Sequence, residues 1–113
     1  MTLALRLSTY LTFVVGLAMF AGWLARAEPI TTAHLILGLV VALLALVAVP
    51  RGPGPRRAVR AVARVWPLLT TAVGLTIFWK VSPPVVVMVH ALMGIAAVAL
   101  LELALGRRAR PAP

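Results

Sequence analysis

Four long runs without a charged residue divide this chain and govern its fold. Between Arg6 and Arg26 lie 19 uncharged residues, Ile30 to Val49 supplies 20, Val65 to Trp79 supplies 15 and Val81 to Leu101 supplies 21. A helix rises about 1.5 Å per residue, so roughly 20 residues cross a hydrocarbon core of about 30 Å. The third run is short, but Arg64 and Lys80 flank it with long stems able to snorkel to either surface. Pro83 and Pro84 stand at the start of the fourth, where a helix does not need the missing N–H. The runs predict an all-α fold, a four-helix transmembrane bundle of up-down topology. The expected spans are about 7–25, 30–49, 62–80 and 84–105, in a single domain 1–113 with a cytoplasmic linker over 50–61.

Composition agrees. With 63% of residues hydrophobic and 12% charged, against about half and a quarter in a soluble domain, neither a soluble globule nor a disordered chain is expected. Cysteine is absent, which excludes disulfides, a thiol nucleophile, covalent c-type heme attachment and iron–sulfur clusters. Ala25-Arg26-Ala27 has the small-x-small form of a signal cleavage site, yet the apolar stretch before it exceeds the usual 7 to 15 or so residues, so the first span is expected to be retained.

The bases set the expected orientation. Arg6, then Arg51, Arg56, Arg57, Arg60 and Arg64, then Arg107, Arg108 and Arg110 fall on one side, and Arg26 and Lys80 on the other. Nine against two places both termini and the central Pro-Arg-Gly-Pro-Gly-Pro-Arg-Arg loop in the cytoplasm, in a bacterial inner membrane. That loop separates two helical hairpins. Its juxtamembrane arginines, with no aromatic platform among them, suit membrane lipids with anionic headgroups and not nucleic acid. Trp23 and Trp79 at one end, and Tyr10 and Trp66 toward the other, have the spacing of interfacial aromatics.

Shifting the sequence by 56 residues aligns Trp23 with Trp79, His34 with His90, Gly38 with Gly94, Leu44 with Leu100, Ala48 with Ala104 and Arg51 with Arg107. The hairpins read as tandem copies in parallel orientation, related by a twofold axis along the membrane normal. The chain's two histidines are a matched pair. Each opens a His-x-x-x-Gly motif, which puts the glycine on the histidine's face one turn deeper. In an up-down bundle the second and fourth spans are diagonal, and both rings can face the central axis near the outer surface.

An ionisable group inside hydrocarbon points to function, although a single intramembrane histidine often only bonds a neighbouring helix, and small-residue spacing often only serves packing. Zinc needs three or four protein ligands, whereas the two carboxylates, Glu28 and Glu102, lie too far apart to join both histidines. One b-type heme needs only two axial imidazoles. The expected metal ligands are therefore His34 and His90, with Gly38 and Gly94 beside them. Gly16, Gly22 and Gly74 thin the walls of the bundle, and Phe13, Phe20 and Phe78 are available to pack on a ring. Arg26 and Lys80 are candidates to pair with the propionates or simply to anchor the outer surface. Met19, Met88 and Met93 have no counterparts at the 56-residue shift and read as packing residues. One pair holds one heme, so the chain alone is not expected to carry electrons across the bilayer. It reads as an electron carrier or heme-handling protein more than a catalyst, with a redox partner or a larger respiratory complex beside it, or a second copy in a homodimer. A cofactor-free accessory or assembly subunit is the alternative.

Four helices with a histidine on the second and another on the fourth, both toward the outer face, resemble one half of heme A synthase. That family is built from two such bundles whose paired histidines ligate heme. The resemblance implies that His34 and His90 are axial ligands. Thr31 stands where the family has a glutamate three residues ahead of its second-helix histidine, with Glu28 six residues ahead, so the cofactor-holding half is the closer analogue. Small multidrug transporters match less well, for they rely on a glutamate in the first span, and none occurs between Arg6 and Arg26.

Overall fold

The apolar runs become four helices in a computed structural model that describes residues 1–80 and 82–106. They are α1 (Thr2–Phe20), α2 (Glu28–Ala48), α3 (Arg57–Phe78) and α4 (Pro84–Leu105). Val81, counted in the fourth run, and Arg107, Arg108 and Arg110, counted for orientation, lie outside the described residues. All four helices are long and apolar enough to cross a membrane. Each packs on its neighbour in sequence and α1 closes the ring against α4, so α2 and α4 stand across a diagonal, as do α1 and α3.

Local chemistry fixes the helix ends. Pro29 and Pro84 occupy the first turns of α2 and α4, where a missing N–H costs nothing. Pro50 turns the residue before it away from helical geometry, and Val49 is extended at ψ 121°. Gly22 follows α1 at φ 77° and Gly106 ends α4 at φ 65°, left-handed values that glycine adopts without a Cβ penalty. Lys80 takes the same role after α3 at φ 56° despite its side chain.

The helices do not coincide with the charge-free runs. The first begins at Thr2 and contains Arg6, and the third begins at Arg57 and contains Arg60 and Arg64. Absence of charge delimits what can lie in hydrocarbon, whereas the hydrogen-bonded helix continues into a polar surface wherever its last carbonyls and side chains find partners.

The buried cluster sits at the end carrying those bases, called here the arginine end. It comprises Leu5, Val41, Ala45, Val49, Ala63, Leu101 and Ala104. Its alanines let the backbones approach closely, the packing mode of helices that gain little from hydrophobicity between them. Large apolar side chains such as Leu7, Val14, Leu43, Val47 and Leu103 face outward. A surface of that kind fits a lipid surrounding. Arginines cap the carbonyls left open at the helix C-termini. Arg64 donates to Leu46 O at 2.9 Å and Arg56 to Leu103 O at 3.1 Å. Arg6 donates to Gly106 O at 3.2 Å and pairs with Glu102 through Nε–Oε1 at 3.0 Å.

Candidate functional site

At the opposite end, which carries Trp23 and Trp79, the interior changes character. Met19 is the one described apolar residue buried there. His34 and His90 occupy this looser half. Each is the sixth residue beyond the first of its helix, so both enter the bundle from the second turns of the diagonal helices α2 and α4. Both are half-buried, and their rings approach to 6.2 Å between centroids with planes at 84°.

Each ring rests on a glycine of the preceding helix. A β-carbon on Gly16 of α1 would lie 2.7 Å from His34 Cε1 and 3.2 Å from Nε2. One on Gly74 of α3 would lie 2.8 Å from His90 Cε1 and 3.5 Å from Nε2. At contacts that close, any side chain would force the ring or the helix to shift. A glycine also uncovers the carbonyl one turn earlier, and the Thr12 and Thr70 carbonyls stand beside the His34 and His90 rings respectively. Nδ1 of both imidazoles is nevertheless shut away from water without a hydrogen-bond partner.

The glycines of the His-x-x-x-Gly motifs do a different job. Gly38 faces Thr71 of α3, whose Oγ1 would be 3.3 Å from an added β-carbon, and Gly94 faces Phe13 of α1 at 3.7 Å. They bring α2 onto α3 and α4 onto α1. The bare backbone beside the rings comes instead from the facing helices, because Cα–Cβ bonds tilt toward the helix N-terminus and carry each imidazole away from the glycine four residues on.

These contacts come in matched pairs, and the pairing has a sequence signal that the 56-residue shift misses. In the first helix of each hairpin the matching shift is 58: Arg6 with Arg64, Thr12 with Thr70, Gly16 with Gly74, Phe20 with Phe78 and Gly22 with Lys80. The connection 21–27 is two residues longer than 79–83, so the shift falls to 56 in the second helices. One consequence corrects the tryptophan alignment. Trp79 N donates to Leu75 O as Ala21 N does to Leu17 O, which makes Ala21, and not Trp23, the backbone counterpart of Trp79.

The remaining sequence candidates are dispersed. Arg26 and Lys80 lie exposed in the two connections of this end, and Arg26 Nε is 3.5 Å from Met19 O. Gly22 lies beyond α1 with nothing within 4 Å of an added β-carbon, so it is a turn residue and does not thin the bundle wall. Phe13 packs on Gly94, while Phe20 and Phe78 are exposed. Trp66, read as interfacial, is half-buried and donates its Nε1–H to Met93 O at 3.0 Å. Glu28 opens α2 and Glu102 pairs with Arg6, and among the described residues no group of three histidines and carboxylates forms.

The two rings meet edge to face, one from each hairpin, and among the described residues they are the groups that would hold a metal-centred cofactor needing two imidazoles from the protein. Comparison of the chain with known protein families, with characterised proteins and with solved structures returned no match.

Proposed function

We propose that the protein is a multi-pass membrane protein that holds one b-type heme between His34 and His90, for one-electron transfer or heme handling. The observation that carries this reading is the meeting of the chain's two imidazoles at 6.2 Å inside an apolar bundle. The two glycine seats support it, since they cut α1 and α3 back to bare backbone on the sides facing the rings. The matched contacts support an origin of the two hairpins as tandem copies. The excess of arginine at one end supports cytoplasmic termini and a site in the outer half of the bilayer, in a bacterial inner membrane.

In this reading the protein supplies position and exclusion. His34 and His90 present one ring from each hairpin, and the seats on Gly16 and Gly74 limit how far either can swing. The Thr12 and Thr70 carbonyls beside the rings are available to accept a hydrogen bond from one imidazole N–H each, which would leave the other ring nitrogen free to ligate. The apolar walls keep water out, and Arg26 and Lys80 offer positive charge at the rim. Held by His34 and His90, a heme would supply one-electron exchange at this site.

A visible spectrum of detergent-purified protein tests the proposal. An intense Soret band, with a sharp α band after reduction, is expected. A colourless preparation from cells supplied with ample heme favours a cofactor-free accessory or assembly subunit instead.

A further inference from the structure

A second site lies at the arginine end, between the central loop and the first two turns of α3. A cavity of about 440 Å³ opens there, lined by Arg51, Arg57, Arg60 and Arg64 together with loop residues such as Gly52 and Pro53. It is half open to the surroundings, with Arg51 and Arg57 exposed and Arg60 and Arg64 half-buried. Gly52 and Gly54 take φ values of 135° and 123°, folding the Pro/Gly loop back onto α3. Arg60 Nη2 donates to Pro53 O at 2.9 Å and Gly52 O at 3.3 Å, and Arg64 and Arg51 both donate to Leu46 O. These carbonyls hold the guanidiniums in place without neutralising them. Nε of Arg60 and of Arg64 is withdrawn from water with no acceptor.

Among the described residues no carboxylate is at hand to balance this charge. The chain has no Asp or Glu between Glu28 and Glu102, and Glu102 is paired with Arg6. Four guanidiniums around one cavity repel one another, and their planar forks match tetrahedral oxyanions. We infer that the cavity is a binding site for a phosphate group, supplied by the headgroup of an anionic phospholipid. The phosphate chemistry rests on the arginines alone. The lipid source rests on the membrane reading proposed above, and neither depends on heme.

The test is a titration of detergent-solubilised protein with short-chain phosphatidylglycerol, short-chain phosphatidylcholine and sodium phosphate at fixed ionic strength, read by the unfolding midpoint. Phosphatidylglycerol is expected to raise the midpoint and phosphatidylcholine to leave it unchanged. The Arg60→Gln/Arg64→Gln variant is expected to bind at least about tenfold more weakly, as loss of charge-assisted hydrogen bonds implies. A matching rise with inorganic phosphate assigns the site to the anion whatever its source, and a rise with the lipid alone assigns it to the headgroup. Equal shifts with both lipids, no shift with any probe, or an undiminished response in the variant overturns the proposal. If the double variant does not fold, Arg57→Gln decides the matter against the charge-matched Arg56→Gln, whose position is outside the cavity lining. Weakening must be confined to Arg57→Gln, and equal weakening in both overturns the site.

Discussion

The imidazole of His34 occupies the space that a β-carbon on Gly16 would need, its Cε1 2.7 Å from that position. The seat is on a different helix from the histidine, so the contact fixes both the height of α1 against α2 and the direction of the ring. His90 and Gly74 repeat it at 2.8 Å.

Alanine at either seat forces the ring or the helix to move. Gly16→Ala and Gly74→Ala are expected to destabilise the protein by about 1–3 kcal/mol, the usual cost of overpacking. Gly94→Ala, where Phe13 stands at an ordinary 3.7 Å, is expected to be neutral or slightly stabilising. Unfolding midpoints in detergent compare the three, and equal effects at Gly16 and Gly94 contradict the seating.

Lys80 and Gly22 end their helices in the same left-handed conformation, at φ 56° and 77°. A side chain costs roughly 1–2 kcal/mol there. Lys80→Gly is therefore expected to raise stability, and Gly22→Ala to lower it, by about 1 kcal/mol each. The same midpoint measurement checks both signs.

The Arg6–Glu102 pair joins α1 to α4, the contact that closes the ring. About a third of each side chain is exposed, at 33% and 38%, so solvent screens the pair. A double-mutant cycle with Arg6→Gln and Glu102→Gln is expected to give a coupling below about 1 kcal/mol. Arg6→Gln alone is expected to cost more than Glu102→Gln, because Arg6 also caps Gly106 O. A coupling of several kcal/mol places the pair in a far drier setting than this surface.

Orientation is open to a direct check because the chain has no cysteine. In intact cells a membrane-impermeant maleimide is expected to label Ala25→Cys and to leave Ala58→Cys unlabelled until the membrane is broken. Both positions are exposed loop or helix-end sites. The reverse pattern contradicts cytoplasmic termini.

The four helices and their ring were legible because uncharged runs of the right length, joined by short connections, leave few other arrangements. Helix limits were not, since Arg6 and Arg57 fall inside α1 and α3 where the backbone continues past the apolar run. The pairing of His34 with His90 followed from their being the chain's two imidazoles at matched positions. The seats on Gly16 and Gly74 were hidden by a single ungapped shift, because a connection two residues longer moves the first helices of the hairpins out of register with the second. Gly38 and Gly94 drew attention by sharing a face with the histidines, yet helix geometry sends the rings toward the other end of that face.

The central claim is that His34 and His90 together hold one iron. Heme content per chain, measured on purified protein and on His34→Ala and His90→Ala variants shown to be inserted and folded, tests it most directly. The account predicts one heme per chain in the parent, with loss of heme or of the bis-imidazole spectrum in each single variant. A parent that purifies without heme from heme-replete cells, or a spectrum unchanged by either substitution, contradicts it.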